Sequence, residues 1–178
     1  METIRIKDKQ FKTFITEEQI LKEVARVGEE INRDLADASP LFVSVLNGSF
    51  MFTADLMKHV SVPCEISFVK LASYAGTSST GKVKELVGLN DDITGRTIVI
   101  VEDIIDTGLT MERLIETLKA RNPKEIRIAT LLVKPDKLKV DLDINYIAMS
   151  IPNDFIVGYG LDYDGLGRNY RDIYTVIE

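Results

Sequence analysis

The feature that most constrains the fold is an unbroken β-branched run at residues 97–101, which reads TIVIV. Strands that are covered on both faces, as in parallel sheets, carry such continuous apolar runs, whereas half-exposed strands alternate apolar and polar residues. We therefore expect residues 97–101 to form a central strand with structure packed on both of its faces.

The segments around this run alternate between strand and helix patterns. Thr16 and Gln19 match a capping box, and the helical spacing of the apolar residues that follow predicts a helix over about 17–37. Further helices are predicted at about 50–59 and 109–121, and strands at 41–46, 65–71, 84–89, 126–133, 145–151, 156–160 and 172–177. This order predicts an α/β fold with a mainly parallel sheet, in which ligands bind beyond the carboxyl ends of the strands.

Composition narrows the class of protein. The 178 residues fit one domain, and the net charge of −6 argues against nucleic-acid binding. The chain contains no apolar run long enough to span a membrane and begins without the apolar stretch of a signal peptide. Cys64 is the single cysteine, which is typical of a reducing compartment. We expect a cytoplasmic protein.

The segment after the central run carries the most chemistry. Glu102 and Asp103 follow it directly, Asp106 comes three residues later, and residues 107–110 (TGLT) open the next predicted helix. The first turn of a helix offers free backbone amides and a positive dipole end, which together favour a phosphate. Gly108 allows close backbone approach, and the neighbouring threonines add hydroxyl donors.

Three carboxylates beside a phosphate site would repel the phosphate unless hydroxyl groups or a cation lay between them. A ribose 5-phosphate removes this conflict: its phosphate would bind residues 107–110, and its 2′ and 3′ hydroxyls would meet Glu102 and Asp103. The same two carboxylates would suit Mg²⁺, which prefers oxygen ligands.

A second glycine-rich segment has a different interpretation. Residues 76–82 (GTSSTGK) approach the Walker A pattern, but Val83 stands where a serine or threonine should hold magnesium, and a strand pattern follows instead of a helix. With little to bury, residues 73–82 are better interpreted as a mobile loop.

The sequence VEDIIDTGLT at residues 101–110 resembles the donor-binding motif of type I phosphoribosyltransferases, in the form typical of the hypoxanthine-guanine branch. The resemblance extends over nearly the whole chain. It implies one phosphoribosyltransferase domain over 1–178, with a central, mainly parallel sheet flanked by helices. It further implies a small hood built from the N-terminal segment and about 150–178, and a flexible active-site loop over about 73–84.

The resemblance also assigns the groups that would bind the donor, 5-phospho-α-D-ribose 1-diphosphate. LNGS at 46–49 resembles the family's pyrophosphate loop, which is often built around a cis peptide, and Arg168 matches an arginine that contacts pyrophosphate. The expected ribose-phosphate and pyrophosphate contacts are Leu46, Gly48, Ser73, Tyr74, Glu102, Asp103, Asp106, Thr107, Gly108, Leu109, Thr110 and Arg168.

The remaining matches concern the purine and the metal. The resemblance implies that Lys134 donates to the purine O6, that Phe155 stacks on the ring, and that Ile156 and Asp162 bind the base. Asp106 is expected to accept the purine N7 proton, and Tyr74 to shield the reacting centre when the loop closes. The expected ligands of Mg²⁺ are Glu102, Asp103 and Asp162.

These assignments together imply a purine-salvage transferase that forms IMP from hypoxanthine, or GMP from guanine, with release of pyrophosphate. The resemblance suggests a homodimer or homotetramer with small-molecule substrates and neither a nucleic-acid nor a membrane partner. Three alternatives stay open: a regulator that binds the donor and nucleic acid, a sister enzyme for xanthine, adenine or a pyrimidine, and a binding module without catalysis. Lys134 opposes adenine, and the segment from Phe155 to Asp162 opposes pyrimidines, whereas xanthine stays possible as a side substrate.

Overall fold

The computed structural model describes residues 2–72 and 85–177. In chain order its main elements are β1 Thr3–Ile6, β2 Lys9–Ile15, α1 Glu17–Asp34, β3 Leu41–Leu46, α2 Phe50–Met57, β4 Glu65–Ala72, β5 Glu85–Val87, β6 Thr97–Ile105, α3 Leu109–Lys119, β7 Glu125–Val133, a 3₁₀ turn Pro135–Lys137, β8 Tyr146–Ser150, β9 Ile156–Val157 and β10 Ile173–Val176. Strands and helices alternate through the middle of the chain, so the predicted α/β class is confirmed.

A six-stranded sheet in the order β5-β4-β3-β6-β7-β8 forms the body of the molecule. The five strands from β4 to β8 in this order are parallel, and β5 is antiparallel to β4. Val99 and Val101 face the core shared with α1 and α2, whereas Ile98 and Ile100 face the core shared with α3. The β-branched run is therefore covered on both faces, as predicted, and pairs with strands on both sides.

Strand β6 is longer than predicted. The expectation that it ends at the acidic pair, Glu102 and Asp103, is wrong, because pairing with β7 continues through Ile104 opposite Leu132 to Ile105 opposite Val133. The acidic pair thus lies within the last part of a hydrogen-bonded strand, which holds its backbone more firmly than a loop would.

Helix α1 begins as its sequence predicts. The backbone amide of Gln19 donates to Thr16 Oγ1 at 3.3 Å, and the Thr16 amide donates to Gln19 Oε1 at 2.9 Å, which completes the capping box. The helix ends at Asp34, three residues earlier than the predicted 37, because the chain turns at Leu35, whose side chain is buried. None of the helices among the described residues is both long and apolar enough to cross a membrane.

A smaller antiparallel sheet in the order β1-β2-β10-β9 joins the two ends of the chain. Strands β1 and β2 were not predicted, because their apolar residues are separated by charged ones and form no continuous run. β9 stops at Val157, earlier than the predicted 160, because Gly158 and Gly160 adopt φ of +105° and +98° and turn the chain away from the sheet.

Candidate active site

The candidate site lies at the carboxyl edge of the large sheet. Strands β3, β6 and β7 run in parallel, so the loop after Leu46, the end of β6 and Lys134 reach the same edge. A cavity of about 240 Å³ opens there. Its lining residues are Glu102, Asp103, Ile104, Ile105, Asp106, Thr107, Gly108, Thr110 and Met111. The predicted acidic pair and the predicted phosphate turn therefore face one common space.

The phosphate turn begins α3. Gly108 is the N-cap residue with φ +83°, a left-handed conformation that favours glycine. The Leu109 amide donates to Thr107 Oγ1 at 3.4 Å, and the Leu109 and Thr110 side chains are exposed. A Cβ added at Gly108 would lie 2.7 Å from the Val140 side chain, so the backbone of this turn packs tightly against the side chains behind it. Its free amides and hydroxyl groups provide the donors that a phosphate needs.

The acidic pair is held by its own strand. The Ile104 amide donates to Asp103 Oδ1 at 2.9 Å, and the Asp103 amide donates to Glu102 Oε1 at 3.1 Å. Both carboxylates are half-buried. Their negative charge at the edge of the cavity is suited to hydroxyl groups or to a hard cation.

The expected pyrophosphate loop touches this pair. The Leu46–Asn47 peptide is cis, and the next residue, Gly48, is buried. A Cβ added at Gly48 would lie 1.8 Å from Asp103 Oδ2, so only glycine fits beside that carboxylate. A Cβ at Gly160 would lie 2.1 Å from the Gly48 carbonyl oxygen, which places the 158–162 segment against the same loop.

Arg168 and Asp162 form a pair beside that segment. Arg168 Nη1 donates to the Gly160 carbonyl at 2.7 Å, and Arg168 Nη2 lies 3.0 Å from Asp162 Oδ1. The second Asp162 oxygen accepts from the Gly165 amide at 2.8 Å. Both expected contact residues are thus next to the Gly48 loop, and each has protein partners.

The expected purine groups lie along the end of β7 and the start of β9. The Lys134 side chain is 8% exposed, and its Nζ donates to the Asp154 carbonyl at 2.8 Å. Phe155 is 45% exposed although aromatic, and its ring meets Tyr163 edge-on with 5.6 Å between centroids. Ile156 is buried within the small sheet. An exposed aromatic face near a buried ammonium group can bind a flat, carbonyl-bearing ring.

Tyr159 ties the purine segment to helix α2. Its hydroxyl donates to Asp55 Oδ2 at 2.5 Å. Burial, more than this hydrogen bond, raises the pKa of Tyr159 far above its ordinary range. The phenol is therefore a fixed, protonated donor that anchors the segment carrying Phe155 and Asp162.

Asp106 has a partner that sequence reasoning missed. Lys137 Nζ lies 3.1 Å from Asp106 Oδ1 and donates to Oδ2 at 3.3 Å. The two residues are 31 positions apart, and only the pairing of β6 with β7 brings their loops together. No local pattern in the sequence signals such a contact.

The metal ligands were expected to be Glu102, Asp103 and Asp162. Within residues 2–72 and 85–177, no group of three or more His, Cys, Asp or Glu side chains is arranged to hold a metal ion. Glu102 and Asp103 adjoin on β6, whereas Asp162 is paired with Arg168. Such a set fits Mg²⁺ held by one or two carboxylates together with substrate oxygens. Ser73 and Tyr74, expected in the closing loop, lie outside the described residues.

Comparisons with known proteins agree with this arrangement. Residues 13–164 match the family model described as a phosphoribosyl transferase domain. The chain is 44% identical over 163 residues to the hypoxanthine-guanine phosphoribosyltransferase of Streptococcus pyogenes, covering 91% of this chain and 89% of that one. Against its counterpart in Mycobacterium tuberculosis it is 43% identical over 166 residues, covering 89% of this chain and 81% of that one.

A solved structure shows the same similarity in three dimensions. The crystal structure of a hypoxanthine-guanine phosphoribosyltransferase from Bacillus anthracis superposes with a TM-score of 0.84 at 40% identity. The superposition covers 93% of this chain and 98% of that chain. The likeness therefore extends over nearly the whole chain.

Proposed function

This chain belongs to the phosphoribosyl transferase family, and we propose that it works in purine salvage, moving the 5-phosphoribosyl group of 5-phospho-α-D-ribose 1-diphosphate onto hypoxanthine or guanine. The products are IMP or GMP and pyrophosphate. The observation that carries the proposal is that the acidic pair at 102–103 and the phosphate turn at 107–110 line one cavity. The expected pyrophosphate loop packs against the same acidic pair, through the contact of Gly48 with Asp103.

In the proposed donor complex, the 5′-phosphate binds the amides and hydroxyl groups of residues 107–110, including Leu109 through its backbone. The 2′ and 3′ hydroxyls of the ribose bind Glu102 and Asp103, for which carboxylates are good acceptors. The diphosphate lies along the Leu46–Gly48 loop toward Arg168. Leu46 and Gly48 contribute backbone groups there, and Arg168 contributes a permanent cation.

The proposed reaction breaks the bond between C1′ and the diphosphate oxygen and forms a bond between C1′ and purine N9. The diphosphate leaves with the bonding electrons, and positive charge develops on the ribose ring. Glu102 and Asp103 below the ring stabilise that charge. The purine must lose one proton for the product to be neutral at the ring, and Asp106 accepts or shares the N7 proton.

Base selection is assigned to Lys134. One hydrogen of its ammonium group is used by the Asp154 carbonyl, which leaves two donors for a purine O6. Adenine presents an amino group at that position and would leave the buried ammonium facing a donor, which is costly. Phe155 stacks on the ring, Ile156 supplies backbone contacts, and Asp162 binds the purine edge through its backbone.

Magnesium is the proposed cofactor, with Glu102 and Asp103 as ligands on one side and Asp162 on the other. Bound Mg²⁺ would neutralise charge on the leaving diphosphate. For Asp162 to contribute, its carboxylate must share its interaction with Arg168, which a carboxylate with several acceptor sites can do.

Two further parts of the proposal concern loop closure and assembly. Ser73 and Tyr74 would close over the bound donor, with Tyr74 excluding the water that would otherwise hydrolyse it. We also propose a homodimer or homotetramer. The support is an apolar stretch of β4, where Ile66 and Phe68 point to the same face and are 40% and 47% exposed. Light scattering after size-exclusion chromatography measures the assembly, and a monomer at micromolar concentration would contradict it.

The function is tested by incubating the protein with donor and Mg²⁺ plus one base at a time, and measuring nucleotide and pyrophosphate. We expect equal amounts of both products with hypoxanthine and with guanine, weak turnover with xanthine, and none with adenine or a pyrimidine. Donor binding without nucleotide from any oxopurine would contradict catalysis and favour a binding module. Retention of nucleic acid on a filter in the presence of donor would favour a regulator.

A further inference from the structure

Lys137 ends the 3₁₀ turn Pro135–Lys137, and its ammonium group lies against Asp106, at 3.1 Å from Oδ1 and 3.3 Å from Oδ2. Across residues 2–72 and 85–177, no other cation forms an ion pair with Asp106. The Lys137 side chain is 35% exposed and that of Asp106 is 42% exposed. An ordinary surface ion pair of this exposure would contribute little to stability. Whether this pair holds Asp106 in place therefore depends on the residues around it.

The backbone around this pair is fixed on both sides. The Lys134 amide donates to the Ile105 carbonyl at 3.0 Å, and the Lys139 amide donates to the Thr107 carbonyl at 2.9 Å. These two bonds bracket Asp106 in the sequence. Within the turn, the Lys137 amide donates to the Lys134 carbonyl at 3.0 Å. Lys137 therefore approaches Asp106 from a backbone that is tied to both neighbours of that residue.

Side-chain packing behind the phosphate turn adds to these two backbone hydrogen bonds in holding the Lys137 segment in place. A Cβ added at Gly108 would lie 2.7 Å from Val140, 2.9 Å from Leu142 and 3.4 Å from Leu138. Leu138 and Leu142 pack on the core shared with α3. The segment that carries Lys137 thus also packs directly behind residues 107–110. Movement of that segment would therefore disturb the phosphate turn.

The two oxygens of Asp106 differ. Oδ1 is buried and accepts no hydrogen bond within the described part of the chain, while Oδ2 accepts one from Lys137. A carboxylate oxygen has room for a second donor, so Oδ2 can accept a substrate proton while Lys137 stays in place. The nearby ammonium also offsets the buried negative charge on Oδ1, which would otherwise be costly.

We propose that Lys137 is a positioning residue for the transfer reaction, holding the Asp106 carboxylate so that Oδ2 faces the purine proton. This inference rests on the proposed role of Asp106 as the proton acceptor. Lys137 also offsets one of three carboxylate charges next to the phosphate of the donor. Its effect belongs to the chemical step, because it acts on Asp106 and contacts neither the pyrophosphate loop nor Lys134 Nζ.

The test compares Lys137→Gln with Lys139→Gln. Lys139 lies two residues along the same loop, and its side chain has no partner among residues 2–72 and 85–177, so the same substitution there is a matched control. We expect Lys137→Gln to lower kcat for IMP formation about tenfold or more, with the KM for the donor within about twofold of wild type. Lys137→Arg should restore most of kcat, because it returns a cation that can donate to the carboxylate.

A double-mutant cycle with Asp106→Asn separates positioning from general destabilisation. If Lys137 acts through Asp106, adding Lys137→Gln to Asp106→Asn should change kcat by less than about twofold. Equal kcat for Lys137→Gln and Lys139→Gln, or fully additive effects in the cycle, would overturn the inference while leaving the transfer activity established. A wild-type protein that forms no nucleotide would overturn the proposed function and this inference together.

Discussion

Asp106 is the residue on which the proposed chemistry depends. Asp106→Asn keeps the size of the side chain and removes its ability to accept a proton, so we expect kcat to fall by about 10²–10⁴. In the proposed complex the donor is held mainly by the neighbouring turn and the acidic pair, so its dissociation constant should change little. Steady-state kinetics with hypoxanthine and calorimetric titration of donor measure the two quantities. Turnover equal to that of wild type would remove Asp106 from the mechanism.

Gly48 tests the contact between the pyrophosphate loop and the acidic pair. In Gly48→Ala, the new Cβ would lie 1.8 Å from Asp103 Oδ2, so either the loop or the carboxylate must move. We expect kcat/KM for the donor to fall about tenfold or more, since misplaced binding groups are costly for catalysis.

Gly95→Ala is the control for Gly48→Ala. Gly95 has φ +70°, and nothing lies within 4 Å of a Cβ added there. The alanine substitution therefore introduces backbone strain without a steric clash, at a position away from the cavity. Its kcat/KM should match that of wild type. If Gly48→Ala behaved in the same way as Gly95→Ala, the loop and Asp103 would not form one site.

Tyr159 makes the stability of the folded protein depend on pH in the alkaline range. Folding raises the pKa of this phenol above its ordinary value of 10.0, chiefly through burial. Its contribution is complete below about pH 10 and is lost as pH rises further, because the unfolded chain gives up the proton and the folded chain retains it. Above about pH 10, Tyr159→Phe should therefore lose less stability than wild type by up to about 1.4 kcal/mol per pH unit. Chemical denaturation at each pH measures this, and parallel loss in both proteins would contradict it.

Among the elements, the turn at Tyr163 links the purine site to the hairpin of β1 and β2. The Tyr163 hydroxyl donates to Asp8 Oδ1 at 2.7 Å, and its ring meets Phe155 edge-on. This hydrogen bond is the main cause of the raised pKa of Tyr163 and of the lowered pKa of Asp8. We expect Tyr163→Phe to raise the KM for hypoxanthine about two- to fivefold and to leave the KM for the donor unchanged, because it loosens only the support of Phe155.

A matched control for Tyr163→Phe exists at the opposite edge of the large sheet. Tyr146 also donates to an aspartate, Asp34 Oδ2, at 3.1 Å, at the start of β8. Tyr146→Phe removes the same hydroxyl group at the amino end of β8, and with it both the bond to Asp34 and the bond that the hydroxyl accepts from Arg127 at 3.0 Å. Tyr146→Phe should leave the KM for hypoxanthine and the KM for the donor unchanged. Equal changes in the two variants would show that the effect reports general stability.

Local signals explain which elements were predictable. The capping box of Thr16 and Gln19 is complete within four residues, so the start of α1 was predicted correctly. The end of β6 was not, because the charged Glu102 and Asp103 interrupt the apolar run, and only the pairing with β7 shows that the strand continues through Ile104 and Ile105. The hairpin of β1 and β2 was missed for a similar reason: its cross-strand partners, such as Ile6 and Lys9, mix apolar and charged side chains.

At the scale of the whole molecule, parallel strands explain why separate stretches of sequence could be predicted to converge at one edge of the sheet. Their carboxyl ends meet at one edge, so the segments after β3, β6 and β7 converge there although they are far apart in the chain. The family resemblance then supplied the expected partners in the small sheet. Contacts between loops, such as that of Lys137 with Asp106, could not be predicted, because they depend on the final position of both loops.

The central claim is that the acidic strand end and the phosphate turn bind one donor molecule together. The most direct measurement is calorimetric titration of 5-phospho-α-D-ribose 1-diphosphate with Mg²⁺ into wild type and into the Glu102→Gln, Asp103→Asn double variant. We expect the double variant to bind at least about tenfold more weakly, a loss of about 1.4 kcal/mol or more, with its thermal stability preserved. An unchanged dissociation constant would contradict the claim.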